Sequence, residues 1–414
     1  MNKNLKLSST DTSIKKFVNL YYIYQTFFNL LLIIPIFYEV QKIAGISDKS
    51  IYNIQSIYYI AFILLEIPSG FFADICGRKK SLIISAMLLL FSNFLPIFIR
   101  NELGFLLHFL IIAVARSLNS GTASAILYNF LNQKNCQADF KKIEGNARSY
   151  ALIGRFIAWP MTGYLLVYNF NLPFIITAVF ISISLGSILL LKVEEEDQKD
   201  QNSDLKNTNN IFESFQLIKN NLRKNPLLIL IMVQGTGFFV LQRIGLLQLA
   251  QPLLKSKDFS VESFGILLSV ATMFEALAAK NSYRIKTLIK DDKKSVFILT
   301  IFLAFIFVTL GNTNKVATVP ILFIFSFFCG LIFPIQKQLL NDNINLEKFR
   351  ATLISIESII QRIVAALITF IIGVILDKND VSLLFNGIGV AIILVITINY
   401  VLLIKINRTN MESI

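Results

Sequence analysis

The stretch that decides the fold is Gly70-Phe71-Phe72-Ala73-Asp74-Ile75-Cys76-Gly77-Arg78-Lys79-Lys80, a short polar turn between two long apolar runs. Gly70 and Gly77 remove side chains where two helix ends are expected to come close. Asp74 supplies an acceptor, and Arg78, Lys79 and Lys80 hold the turn on the positively charged side of a bilayer. The pattern predicts a tight hairpin joining two membrane spans.

The rest of the chain agrees. Of its 414 residues 55% are hydrophobic, 37 are Phe and the mean hydropathy is +0.64, which excludes a soluble protein of several domains. One span takes about 20 apolar residues, so twelve spans with short connections account for nearly the whole length. Apolar runs fall at 17–40, 51–73, 81–99, 104–131, 146–168 and 171–192, and again at 226–250, 261–281, 294–311, 317–337, 351–376 and 382–404. This divides the chain into a first bundle over 1–192, a polar linker over 193–225 and a second bundle over 226–414. The linker opens on Glu194, Glu195, Glu196 and Asp197. Near its end Ile211, Phe215, Ile218 and Leu222 recur at helical spacing, which predicts a short amphipathic helix on the cytoplasmic face.

The formal charge of +13 reflects membrane orientation rather than a nucleic-acid partner. With both termini inside, 28 of the 39 Lys and Arg fall in cytoplasmic segments and 7 in outside loops. The remaining four, Arg116, Arg155, Arg243 and Arg362, lie within spans. The first apolar run is too long and too aromatic for a cleaved signal peptide. Three scattered cysteines imply no disulfide framework. One histidine, no C-x-x-C, no H-E-x-x-H and no P-loop argue against a metal site, a bound cofactor, nucleotide-driven work or an enzyme.

The pattern G-x-x-x-D-x-x-G-R-K after a second span, with Glu66, Pro68 and Ser69 just upstream, resembles the signature loop of the major facilitator superfamily of secondary transporters, in the version found in bacterial drug and metabolite exporters. The resemblance covers nearly the whole chain. It implies an all-α membrane protein of twelve transmembrane helices in two six-helix bundles, a monomer in the inner membrane, working by alternating access around a cavity lined chiefly by spans 1, 4, 7 and 10. It also implies that Gly70, Asp74, Gly77, Arg78 and Lys79 form a gating motif, with Asp74 meeting the N-terminal dipole of span 11 near Arg350. Two places depart from the family. The end of span 4, from Ser117 to Asn129, carries no acid where related exporters have one, and the second copy of the signature, from Glu275 to Arg284, has lost its Asp and Gly pair. Gly154, Trp159, Pro160 and Gly163 in span 5 loosely resemble an antiporter pattern, and also suit close packing against span 8.

A charge at the centre of a membrane helix costs at least about 2.5 kcal/mol, so each retained one needs a wet cavity or a partner. Glu66, Glu275 and Glu357 are the candidates for proton coupling, Glu66 standing beside Pro68 where a helix can loosen. Arg116, Arg155 and Arg362 fall near mid-depth and predict an anionic solute, with Glu357 available to neutralise Arg362. Gln25, Asn29, Asn119, Gln234 and Gln242 can hydrogen-bond the same solute, while His108 reads as a buried hydrogen-bonding residue. The function expected is a proton-driven secondary transporter of a small organic molecule, with efflux by antiport ahead of import of an anionic nutrient or siderophore-like carboxylate. A solute-binding membrane sensor is the reading without transport.

Overall fold

A computed structural model describes residues 12–192, 225–288, 292–344, 350–377 and 380–412. The amphipathic helix expected over 211–222 lies outside them. Among the described residues the regular structure is entirely helical. Eleven helices are long and apolar enough to cross a membrane. Spans 2 to 6 are Asp48–Cys76, Arg78–Phe98, Glu102–Gln133, Gln137–Tyr168 and Leu172–Leu190. Spans 7 to 12 are Pro226–Ser256, Val261–Ser282, Lys293–Asn312, Lys315–Asp342, Thr352–Leu376 and Val381–Lys405. Span 1 completes the twelve in pieces, Thr12–Phe28, the 3-10 turn Ile34–Ile36 and Phe37–Ile43. The protein is thus an all-α membrane protein of twelve spans in two six-helix bundles.

By compactness the chain forms two units. One comprises Met1–Ile34 with Leu64–Glu196, the other Pro35–Ile63 with Asp197–Ile414.

The signature turn is tighter than its sequence suggests. The helix of span 2 continues to Cys76, and Gly77 alone reverses the chain, with φ 94° and ψ 138°, before the next helix begins at Arg78. Only glycine adopts that conformation without a steric penalty. Gly70 sits inside the helix, and among the described residues no atom lies within 4 Å of where its Cβ would be. Pro68 is also absorbed in the continuous helix, where its missing N–H leaves the Leu64 carbonyl without its helical hydrogen bond.

The interruptions fall elsewhere. Span 1 leaves helical geometry after Phe28, ahead of Pro35, which has no N–H to offer the carbonyl of Leu31. Span 4 breaks at Ser120 and Gly121, the latter at φ 74°. Span 5 tightens to a 3-10 turn at Trp159–Met161, and span 7 widens to a π-turn at Ile244–Leu249. Such defects persist in a membrane only where other groups take up the freed backbone. Accordingly, the Leu32 N–H donates to Thr177 Oγ1 at 3.2 Å.

Within the first unit, hydroxyls tie neighbouring spans. Ser69, Ser81 and Ser85 donate to the carbonyls of Ser117, Leu118 and Ala115 at 3.0, 3.2 and 2.6 Å, fastening span 4 to spans 2 and 3. Interhelical bonds of this kind contribute about 0.6 kcal/mol each. Gly154 packs on Thr26 and Leu30, with a built Cβ 3.4 Å from Thr26 Cγ2, so within the first unit the small residue of span 5 makes room for span 1. In the second unit Gly330 lets span 10 lie against the backbone of span 8, where a Cβ would overlap the Glu275 carbonyl.

Candidate functional site

In the first unit the breaks of spans 1 and 4 feed one polar network. Asn29, the first residue past the helical part of span 1, donates through Nδ2 to the Gln25 carbonyl at 2.8 Å. It accepts from both arginines of the unit. Arg116 Nη1 donates to Asn29 Oδ1 and Arg155 Nε to the Asn29 carbonyl, each at 3.4 Å. The guanidinium groups also stand over rings, Arg116 over Phe28 at 5.9 Å and Arg155 over Trp159 at 5.6 Å. The 3-10 turn at Trp159 and the helix break after Phe28 therefore position the aromatic faces on which the arginines rest.

Two helical turns from Asn29, by way of Gln25 and Tyr21, the network reaches a carboxylate. Gln25 Nε2 donates to the Tyr21 hydroxyl at 3.0 Å, Tyr21 donates to Glu144 Oε2 at 2.6 Å, and Ser124 donates to Glu144 Oε1 at 2.8 Å. Tyr24 donates to Asn119 Oδ1 at 2.7 Å, one residue before the break in span 4. Glu144 is not among the residues the sequence singles out. The helix of span 5 begins at Phe140, not at 146, and its buried Ile143, Ala147 and Ala151 form a stripe that the sequence already shows at four-residue spacing. Because the helix starts at Phe140, Glu144 lies within it, half-buried beside Ile143.

Polar side chains are gathered at several places among the described residues of the second unit. Gln242 Nε2 donates to Glu275 Oε1 at 2.7 Å. Around the π-turn of span 7, Tyr59 accepts from Arg243 Nε at 3.0 Å and from Gln248 Nε2 at 3.2 Å, while Thr369 donates to Gln248 Oε1 at 2.8 Å. Arg362 lies nearby in span 11 with its guanidinium 3.8 Å from the centre of the Phe62 ring. A further group contains Glu357, which is 1% exposed and pairs with Lys337 Nζ at 3.5 Å. Glu357 was expected to neutralise Arg362, but five residues along a helix point in different directions and the pairing goes to span 10 instead. Beside this pair, Gln336 Nε2 donates to the Ile231 carbonyl at 3.0 Å, and Gly235 leaves the room both side chains occupy. Gln234 is buried, and among the described residues its Nε2 has no hydrogen-bond partner.

A further set of ionic ties joins the end of span 1, the start of span 2 and the end of span 7. Lys255 Nζ meets the buried Glu39 Oε2 at 2.8 Å, Lys42 meets Asp48 at 3.2 Å, and Tyr38 donates to Asp48 Oδ1 at 2.7 Å.

The structure thus brings Gln25, Asn29, Asn119, Arg116 and Arg155 together, and distributes Arg362, Gln234, Gln242, Glu275 and Glu357 over the second unit. Glu66 is half-buried, its carbonyl accepting from Ser69 Oγ at 3.0 Å. In the signature turn Asp74 is exposed, Lys79 Nζ donates to the Leu189 carbonyl at 3.1 Å, and the buried Arg78 Nη1 has no hydrogen-bond partner among the described residues. His108 is fully buried, its Nδ1 2.7 Å from the Ser92 carbonyl, in a cage of Phe105, Phe109 and Phe174.

No curated protein sequence matches the chain. Solved structures do. The nucleoside transporter NupG superposes with a TM-score of 0.72 at 15% identity, over 94% of this chain and 98% of its own. A D-xylose-proton symporter gives 0.71 at 13% identity, over 93% and 97%. A POT family transporter in complex with a thioalcohol-conjugated peptide gives 0.71 at 14% identity, over 95% and 96%. At these identities the likeness establishes the fold. The sequence profile described as Major Facilitator Superfamily matches residues 23–369, most of the chain, and with twelve spans in two bundles this multi-pass membrane protein belongs to that superfamily of secondary transporters.

Proposed function

We propose that the chain moves a small anionic organic solute by alternating access, coupled to protons, with export as its direction. The observation that carries the substrate class is the convergence of Arg116 and Arg155 on Asn29 at the break of span 1. Arginine keeps its proton at any physiological pH, so two guanidinium groups at one helix break give a fixed positive charge suited to a carboxylate or phosphate. Discontinuous spans are where transporters commonly seat their substrates. Gln25 and Asn119 add amide groups for the neutral part of the solute.

Coupling in this account falls to carboxylates within the spans. Glu66, Glu275 and Glu357 remain the candidates, and Glu144 joins them because both of its oxygens accept hydroxyl hydrogen bonds. Glu357 is the best enclosed, since neutralising it dissolves its pair with Lys337. The turn at Gly77 with Asp74, Arg78 and Lys79 acts in gating, and the ties of Lys255 to Glu39 and of Lys42 to Asp48 open and close at the other ends of spans 1, 2 and 7. The protein works as a monomer in the inner membrane with both termini cytoplasmic, in keeping with the excess of Lys and Arg in the segments assigned to that side.

The test is a pH-sensitive dye enclosed in proteoliposomes to which small carboxylates and phosphate esters are added one at a time. Antiport makes the lumen alkaline as solute enters, and symport makes it acidic. Solute entry with no lumenal pH change would remove the proton from the account. An acidic response would replace export by import.

A further inference from the structure

We propose that the cleft at one end of the first unit, where spans 1, 4 and 6 meet, binds the phosphate headgroup of an anionic phospholipid. The cleft measures about 180 Å³ and is bordered by Lys16, Lys134 and Lys192, all exposed, with no acidic side chain among its lining residues. Lys79 of the signature turn reaches the Leu189 carbonyl beside it, so the cleft opens at the end of the unit that carries the turn. This inference goes beyond the transport reading and does not depend on solute or direction.

Size and charge choose the ligand. Sites for drug-sized molecules occupy roughly 300–1,000 Å³, so the cleft is too small for an ordinary organic substrate but has room for a phosphate and its ester carbons. Spans 4 and 6 end there and span 1 begins there. Two helix C-termini contribute about −0.5 charge each and one N-terminus about +0.5, so among the described residues the three lysines leave a net charge of about +2.5. Capping of the two C-termini therefore accounts for only part of the cationic charge.

The apolar part of the lining favours a lipid over a soluble phosphate. Phe17 and Phe130 are buried and stacked, with ring centres 3.6 Å apart, and form the floor. Leu190 is exposed at the rim and continues the apolar surface of span 6. A diacylglycerol phosphate presents an anion joined to hydrocarbon, which matches lysines standing over an apolar wall at a helix end. Basic pockets between membrane helices hold lipid headgroups by this combination.

The experiment uses the purified full-length chain in neutral detergent, with native mass spectrometry to count retained lipid and thermal unfolding to read stabilisation. The probes are phosphatidylglycerol, phosphatidylcholine and inorganic phosphate. Phosphatidylglycerol is expected to be retained and to raise Tm, with Lys16→Gln, Lys134→Gln and Lys192→Gln each weakening its apparent affinity about fivefold. Equal retention of phosphatidylcholine, unchanged affinity in the triple variant, or stabilisation by inorganic phosphate equal to that by the lipid would overturn the proposal. Should the triple Gln variant lose helicity, the three single Lys→Gln variants decide: weakened lipid retention in folded protein supports the site, and unchanged retention in all three refutes it.

Discussion

Tyr21 donates its phenolic hydrogen to Glu144 Oε2 at 2.6 Å, joining the helical part of span 1 to span 5 through a residue pair 123 positions apart. Hydrogen bonds to an ionised partner stabilise by about 1.5–3 kcal/mol, and losing one partner leaves the other to be satisfied in a dry place. Tyr21→Phe and Glu144→Gln are therefore each expected to lower Tm, while the double variant loses less than the sum of the two. A double-mutant cycle on purified protein measures this. Strict additivity would mean that the contact contributes nothing.

The pair of Lys337 and Glu357 makes an asymmetric prediction. Removing one partner of a buried pair costs about 3–5 kcal/mol because the other charge is stranded, and the partial exposure of Lys337 places this pair at or below the lower end. Lys337→Gln should destabilise most, because it leaves the carboxylate alone. Glu357→Gln should be milder, since the lysine reaches water, and the double variant should regain most of the loss. Thermal unfolding in detergent separates the three. A Glu357→Gln variant less stable than Lys337→Gln would contradict the assignment of the stranded charge.

Gly235 admits that pair to the side of span 7. A Cβ there would stand 2.5 Å from both Glu357 Oε1 and Gln336 Nε2. Gly235→Ala is expected to cost about 1–3 kcal/mol through overpacking. In the Glu357→Ala background, where one of the two obstacles is gone, the same change should cost less. An equal cost in both backgrounds would place the strain elsewhere.

The twelve spans were legible because twenty consecutive apolar residues leave few alternatives, and the Gly77 turn because glycine and flanking charge announce it. The interruptions were harder to read. The run from Asn29 to Pro35 is apolar enough to pass for continuous helix, and only Asn29 and Pro35 mark its break. Pro68 carries the same outward signal as Pro35 but is absorbed into an unbroken helix. Asn29, Asn119, Arg116 and Arg155 could be picked out singly because polar residues are conspicuous in a span. The meeting of the two arginines at Asn29 could not, because it depends on the helix break in span 1 and on side chains from spans 4 and 5. Glu144 was hidden by a span boundary drawn where the hydropathy falls, although the helix extends about two turns further.

In the proposed cycle the network at the break of span 1 binds an anionic solute that the protein then carries across. The most direct measurement is counterflow in proteoliposomes, comparing labelled small carboxylates and phosphate esters with organic cations, for the wild type and for Arg116→Gln and Arg155→Gln. Exchange of at least one anion is expected, reduced tenfold or more by either substitution in protein that remains folded, with no comparable loss for any cation that is carried. Equal loss of anion and cation exchange, or anion exchange untouched by both substitutions, would contradict it.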